Sequence, residues 1–225
     1  MRRSATFGLE GLANAVSPCD FSFEDIMIST VSSGRVLVTG FGPFGSEQVN
    51  PSGLIAARLG GVVLPVAAEE AWIMTHEEMK RRGARAVLAL GVAGGRAHVC
   101  VEKQAVNEAA YPIADDAGRV LHGPLDAQRA DRLAVTGFSA AGMARAMRRT
   151  GPGPRVSRDA GRYVCNHFYF MLLHNINGRA VFVHLPRLPD EAARLGGGSG
   201  LSLEAAEAAV RAGLRFMERQ VTLMA

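Results

Sequence analysis

The sequence predicts an α/β protein, a three-layer αβα sandwich around a mostly parallel, mixed central sheet. Three observations carry that prediction. Short β-branched apolar runs alternate with amphipathic stretches of helical period, the pattern of strands joined by helical crossovers. The chain has 225 residues, 48% hydrophobic and 20% charged, which suits one domain with a sizeable core. No segment repeats with a period of 20–50 residues, so a solenoid or propeller is set aside.

The elements follow in order. Residues 1–34 are mixed and Ser/Gly-rich without clear periodicity and read as an irregular N-terminal extension; residues 35–225 read as a single α/β domain. "RVLVTG", starting at Arg35, is a buried strand. "NPSGLIAARLG" is a helix with Asn50 as N-cap, Pro51 at its first position and Gly60 closing it. "GVVLPV" is a second strand. "AAEEAWIMTHEEMKRRG" is a helix with acids early, bases late and Gly83 behind it. "RAVLALG" is a third buried strand, and "AHVCVEKQAV" alternates as a further strand or hairpin arm. Residues 108–137 are turn-rich. "SAAGMARAMRRTG" is helical, "GPRVSRD" extended, and "GRYVCNHFYFMLLHNI" helical with an apolar face. "RAVFVHLPRLP" is a strand that stops at Pro186; the glycines 196–198 form a loop before a last helix, "LSLEAAEAAVRAGLRFMERQ".

Charge and composition exclude several classes. The formal net charge of +4 rests almost wholly on scattered arginines, Lys80 and Lys103 being the only lysines. No basic block or aromatic-laced stripe exists, which argues against nucleic acid. No run of eighteen apolar residues exists, so no membrane span is expected. The first residues lack the apolar core of a secretion signal. Three widely spaced cysteines, Cys19, Cys100 and Cys165, suit a reducing cytoplasm and a catalytic thiol rather than a disulfide frame.

In parallel sheets ligands sit at the carboxyl ends of the strands, here the loops after Val38, Leu90 and Val183. The first loop places Gly40, Gly42 and Gly45 at the G-x-G-x-x-G spacing of a dinucleotide turn. In that fingerprint the helix starts at the last glycine. Here Pro43 and Phe44 intervene, and the helix signal comes only at Asn50–Pro51. A loop presenting aromatic rings and backbone polar groups to a small uncharged ligand is the competing reading.

Cys165 is a candidate nucleophile. It lies in the first turns of an apparent helix, and a cap from Asp159 or a neighbour would expose it to the positive helix end, lowering its thiol pKa. Cysteines on apolar helices are commonly small core residues, so other groups must decide. His184 ends the buried strand "VFVHLP" at the ligand edge of the sheet. His167 and His174 share the cysteine's helix, and His167, two residues on, points away from it. Glu102, a carboxylate amid apolar strand residues, needs a partner and is the choice to orient an imidazole. The alternating His98, Cys100 and Glu102 form a rival metal set, but same-face strand neighbours lie about 7 Å apart and converge poorly on one ion.

Three segments, "VTGFGPFGSEQVNPS", "GVAGGRAHVCVE" and "SRDAGRYVCNHFY…VFVHLPRLP", taken in that order, resemble the pyroglutamyl peptidase I family of cysteine peptidases, from about Arg35 to His184. In the second, Gly91, Gly94, Arg96 and Glu102 stand in register with the family's glutamate segment. The resemblance implies a peptidase that removes an N-terminal pyroglutamyl residue through an acyl-enzyme. Cys165 would be the nucleophile, His184 the general acid/base and Glu102 the third member. Phe41 and Phe44 would wall the lactam slot, Asn50 matches a polar loop position, and Val92, Tyr163 and Val164 would complete the pocket. Val92 stands where many bacterial members carry glutamine, and an ungapped reading puts Pro112 where they carry arginine. No metal or organic cofactor is implied. Partners would be N-terminally pyroglutamylated peptides, with no nucleic acid or membrane, in a cytoplasmic protein for which a homo-oligomer is open. Two other classes stay in view: a catalytically weak or inactive binding protein of the same fold, supported by Val92 and Pro112, and a dinucleotide-binding oxidoreductase, supported by the glycine spacing.

Overall fold

Six strands, β1 (Val36–Phe41), β2 (Val62–Leu64), β3 (Ala86–Val92), β4 (Cys100–Glu102), β9 (Arg155–Ser157) and β10 (Ala180–Leu185), form one sheet in the order β2-β1-β3-β10-β4-β9. The computed structural model describes residues 35–128, 132–134, 137–148, 153–196 and 200–223. The N-terminal extension expected over residues 1–34 and most of the glycine loop lie outside them. Strands β2, β1, β3 and β10 are mutually parallel, whereas β4 runs antiparallel to β10. The sheet is therefore mixed and mostly parallel, as expected.

Helices cover both faces. On one face α1 (Pro51–Arg58), α3 (Ala140–Met147) and α6 (Leu203–Leu223) pack on Val36, Val38, Leu88, Leu90, Val181 and Val183. On the other, α2 (Ala68–Arg82) and α4 (Val164–Asn175) pack on Leu37, Phe41, Val87, Ala89 and Phe182. Odd and even positions of each strand thus serve opposite layers, and both are apolar, as a doubly covered parallel sheet requires.

Local chemistry sets the helix ends. Asn50 caps α1, its Oδ1 accepting from Ser52 N–H at 3.0 Å, with Pro51 behind it at the first helical position. Gly83 closes α2 in the left-handed region at φ 64°, where a Cβ would be strained. Ser139 caps α3, accepting from Gly142 N–H.

Two expectations are corrected. "AHVCVEKQAV" is neither one strand nor a hairpin arm. It divides into β4, in the main sheet, and β5 (Gln104–Val106), which pairs antiparallel with β8 (Arg132–Ala134). The Lys103 N–H between them is drawn to Ser157 O at 2.7 Å. A short helix, α5 (Pro189–Leu195), occupies a stretch the sequence left unassigned. The turn-rich region also holds a small ribbon of β6 (Ala109–Ala110) and β7 (His122–Gly123). Among the described residues no helix is long and apolar enough to cross a membrane.

Candidate active site

The opening loop is fixed by Asn50. Its Nδ2 donates to Gly42 O at 2.9 Å, while its Oδ1 receives both the N–H and the hydroxyl of Ser52, and Ser52 Oγ accepts from Phe41 N–H at 3.0 Å. A Cβ at Gly40 would collide with Ser52 O, and one at Gly53 with Phe41 O. These two glycines let α1 lie directly on β1. The G-x-G-x-x-G spacing therefore serves helix–strand packing. The helix begins five residues beyond Gly45, and its first donor is taken by Asn50, so no free N–H cluster faces a pyrophosphate at the glycines.

This loop forms one wall of a cleft of about 290 Å³. Phe41, Phe44, Asn50, Val92, Tyr163 and Cys165 line it, which brings together six of the residues singled out in the sequence. Phe44 and Tyr163 rings meet at 5.8 Å between centroids, and Tyr111 packs edge-on against Tyr163 at 4.7 Å. Val164 does not line the cleft: it is fully buried in the core beneath α4. Residues not foreseen also face the cleft, notably Glu47, Ile113 and Arg187. Arg187 bonds Glu47 Oε1 at 3.3 Å, and its guanidinium lies over Gly94 where any side chain would clash. Burial pushes the Glu47 carboxyl above its ordinary range despite that partner. The glycine at 94 was visible in the sequence; the arginine that fills its place, from a distant loop, was not.

Cys165 is the second residue of α4, at the cleft. Its Sγ rests over Gly91, where an added Cβ would come 3.1 Å from the sulfur and 2.8 Å from the Phe182 ring. Gly91 is the register partner of His184 on the neighbouring strand. His184 follows Phe182 on the same face of β10, and their rings lie 4.8 Å apart. The sulfur and the imidazole thus occupy the same side of the sheet, on adjoining strand positions.

Behind them His184 Nδ1 bonds Glu102 Oε1 at 2.8 Å, with Glu102 fully buried and His184 3% exposed. In the antiparallel register Glu102 sits opposite Phe182 and Cys100 opposite His184, so the carboxylate reaches the imidazole diagonally along one face. Tyr169 of α4 donates its hydroxyl to Glu102 O at 3.1 Å, fixing the strand against the helix. The alternating metal set does not converge: Cys100 Sγ turns to His98 O, and Glu102 is engaged by His184 and Arg96. His167 bonds the Tyr111 hydroxyl at 2.9 Å within the core.

The expected capping by Asp159 is corrected. Tyr163 occupies the N-cap of α4 without a side-chain bond, while Asp159 Oδ1 accepts from Gly161 N–H and Arg162. The thiol is not depressed either. Burial pushes Cys165 up from 9.0 to about 12, the Glu102 and Glu47 carboxylates add to the rise, and Arg96 opposes it. Desolvation outweighs the helix end, because the uncapped first turn acts over one or two residues while the whole sulfur environment is apolar. The thiol keeps its proton unless a base beside it removes it.

Comparison with known proteins meets this geometry. The sequence profile of the family described as pyroglutamyl peptidase matches residues 34–220. The chain belongs to the pyroglutamyl peptidase family. It is 32% identical over 203 residues to the pyrrolidone-carboxylate peptidase of Enterobacter sp. (strain 638), covering 83% of this chain and 94% of that protein. Identity to the Chromobacterium violaceum protein of the same name is 37% over 195 residues, 78% of this chain and 89% of that one. Among solved family structures, Bacillus amyloliquefaciens pyroglutamyl peptidase I superposes with a TM-score of 0.75 at 26% identity, covering 82% of this chain and 96% of that one. The Thermus thermophilus pyrrolidone carboxyl peptidase gives 0.70 at 32% identity, covering 80% and 99%. The family's fold and this chain's three-layer sheet are therefore the same, and the cleft lies at the carboxyl ends of β1, β3 and β10.

Proposed function

We propose that this chain is a cysteine peptidase that removes an N-terminal pyroglutamyl residue from peptides, and that residues 35–225 form its single catalytic domain. The observation that carries the reading is the buried His184–Glu102 bond on the same sheet face, and beside the same strand position, as the Cys165 sulfur at the aromatic cleft. The substrate cap suits the cleft. A pyroglutamyl ring carries no ammonium, so it needs no carboxylate anchor; it is flat, with one N–H and one C=O, and fits between Phe41, Phe44 and Tyr163.

His184 takes the Cys165 proton, and Glu102 holds the imidazole in the orientation that receives it. The thiolate attacks the carbonyl carbon that joins the cap to the next residue. The tetrahedral oxyanion is stabilised by N–H groups of the first turn of α4, which have no intrahelical acceptor. Collapse breaks the C–N bond, and the imidazolium gives its proton to the departing amine. Water, deprotonated by the same imidazole, attacks the thioester; free pyroglutamate leaves and the thiol is restored. The high intrinsic thiol value makes the imidazole essential to the first step.

The test is turnover of a pyroglutamyl anilide by Cys165→Ser, beside free glutamyl and prolyl anilides. A fall of about 10³-fold or more with folding intact is expected. Release of the amine at the wild-type rate would overturn the nucleophile assignment, as would indifference of the wild type to iodoacetamide.

A further inference from the structure

Glu102 does not serve His184 alone. Its Oε1 also accepts from Arg96 Nη1 at 2.5 Å, while its Oε2 is buried with no partner among the described residues. Both the imidazole and the guanidinium therefore draw on one oxygen. Arg96 Nη2 meanwhile donates to Asp159 O at 2.5 Å, in the turn that leads into α4 and Cys165. The arginine is only 28% exposed at its side chain. Burial works against its charge, yet Glu102 holds it firmly protonated. Such a cation, placed between the acid and the segment carrying the sulfur, does more than fill space.

We propose that Arg96 is a positioning residue of the peptidase reaction: it neutralises Glu102, and it ties the Glu102 strand to the entry of the cysteine helix. The inference rests on the proposed roles of Cys165, His184 and Glu102. The charge argument is direct. With Arg96 present, the buried Glu102–Arg96 pair is neutral overall. When His184 takes the thiol proton, the imidazolium is then balanced by the thiolate rather than held by a second free anion. That keeps its proton available to the leaving amine. Removing the guanidinium leaves a bare carboxylate, which favours the protonated form of both His184 and Cys165.

The other groups facing this pair are few. From α4 come Cys165 and Tyr169, whose hydroxyl is bonded to Glu102 O. From β4 comes Cys100, opposite His184. From the loops come Asp159, bonded to Arg162 and Gly161, and Glu47, paired with Arg187. None of them is placed to replace the Arg96 charge on Glu102 Oε1.

The experiment measures the pH profile of kcat/KM on a pyroglutamyl anilide, and the pH dependence of iodoacetamide inactivation, in the full chain. Arg96→Met should move both limbs of the activity profile, and the alkylation curve, to higher pH by about one unit. Arg96→Gln keeps a donor toward Asp159 O but no charge, and should move them equally, which covers the case in which the Met variant folds poorly. Arg96→Lys keeps the charge and should leave the profile in place, with turnover reduced because an ammonium cannot hold both acceptors in the guanidinium's fork. Lower activity with wild-type limbs in both neutral variants would reduce Arg96 to a structural tie and overturn the proposal. Wild-type turnover by Cys165→Ser would instead defeat the underlying triad, so the two failures are told apart.

Discussion

The two faces of the sheet are built from different materials. The face under α1, α3 and α6 is aliphatic and methionine-rich, with Ile55, Leu88, Leu90, Met143, Met147 and Met217 buried around one aromatic ring, Phe138. The face under α2 and α4 is aromatic, with Phe41, Tyr111, Phe168, Tyr169 and Phe182. It also shelters Glu102, His184, His167 and Asn166. Asn166 shows how such groups are tolerated: its Oδ1 accepts from Val106 N–H, and its Nδ2 donates to Val106 O and Glu108 O, all within 3.0 Å. The aliphatic face needs only volume and area to contribute its stabilisation. The aromatic face trades some of that simplicity for fixed polar partners, which a reaction requires and which an unpaired neighbour would make costly.

Substitutions that respect one face and injure the other sharpen this contrast. The largest effect belongs to the polar face: Glu102→Gln removes the charge facing His184 and Arg96, and should lower kcat/KM by about 10³-fold on a pyroglutamyl anilide. Near-normal turnover in that variant would move the chemistry elsewhere. On the opposite face, Leu88→Ala deletes a fully buried side chain and should cost about 3 kcal/mol in denaturant unfolding. Its kcat/KM below the transition should stay within about twofold of wild type; a large kinetic loss would show that the faces are coupled. The smallest effect concerns alkali. The Cys165 thiol is raised in the folded chain from 9.0 to about 12, so its contribution to stability is intact below pH 9 and is lost as pH climbs toward 12, where the unfolded thiol ionises first. Unfolding at pH 8 and pH 10 should cost the wild type about 1 kcal/mol more than Cys165→Ala. Parallel losses in the two proteins would mean that the sulfur is better solvated than its packing indicates.

The same contrast explains what could be read from the chain. Elements with their own punctuation were legible: Asn50 and Pro51 before α1, Gly83 after α2, Ser139 before α3 and Pro186 after β10 all act within a few residues. The split between β4 and β5 was not, because local alternation cannot say which strand a segment will pair with. Helix α5 was too short for a period to show; its visible marks are Pro189 at the first turn and the Glu191–Arg194 pair one turn on. At the cleft, Cys165, His184 and Glu102 were legible as unusual residue types in apolar surroundings. Arg96 was visible only as a motif residue, and its bond to Glu102 depends on how the loop folds back. The cap assigned to Asp159 failed because its carboxylate is taken by Arg162 and Gly161 before α4 begins.

The reversed direction of β4 gives this cleft a parity. Because Glu102, Cys100 and His184 share a face only in the present register, sliding β4 by one residue would turn Val101 inward and the acid toward the opposite layer. Length changes in the 93–99 connection that shift the strand by an odd number of steps would thus disconnect the imidazole from its carboxylate while leaving the sheet fully hydrogen-bonded. Even-numbered shifts would at least keep an inward side chain in line, so lineages sharing this architecture should vary that loop in twos or hold its length.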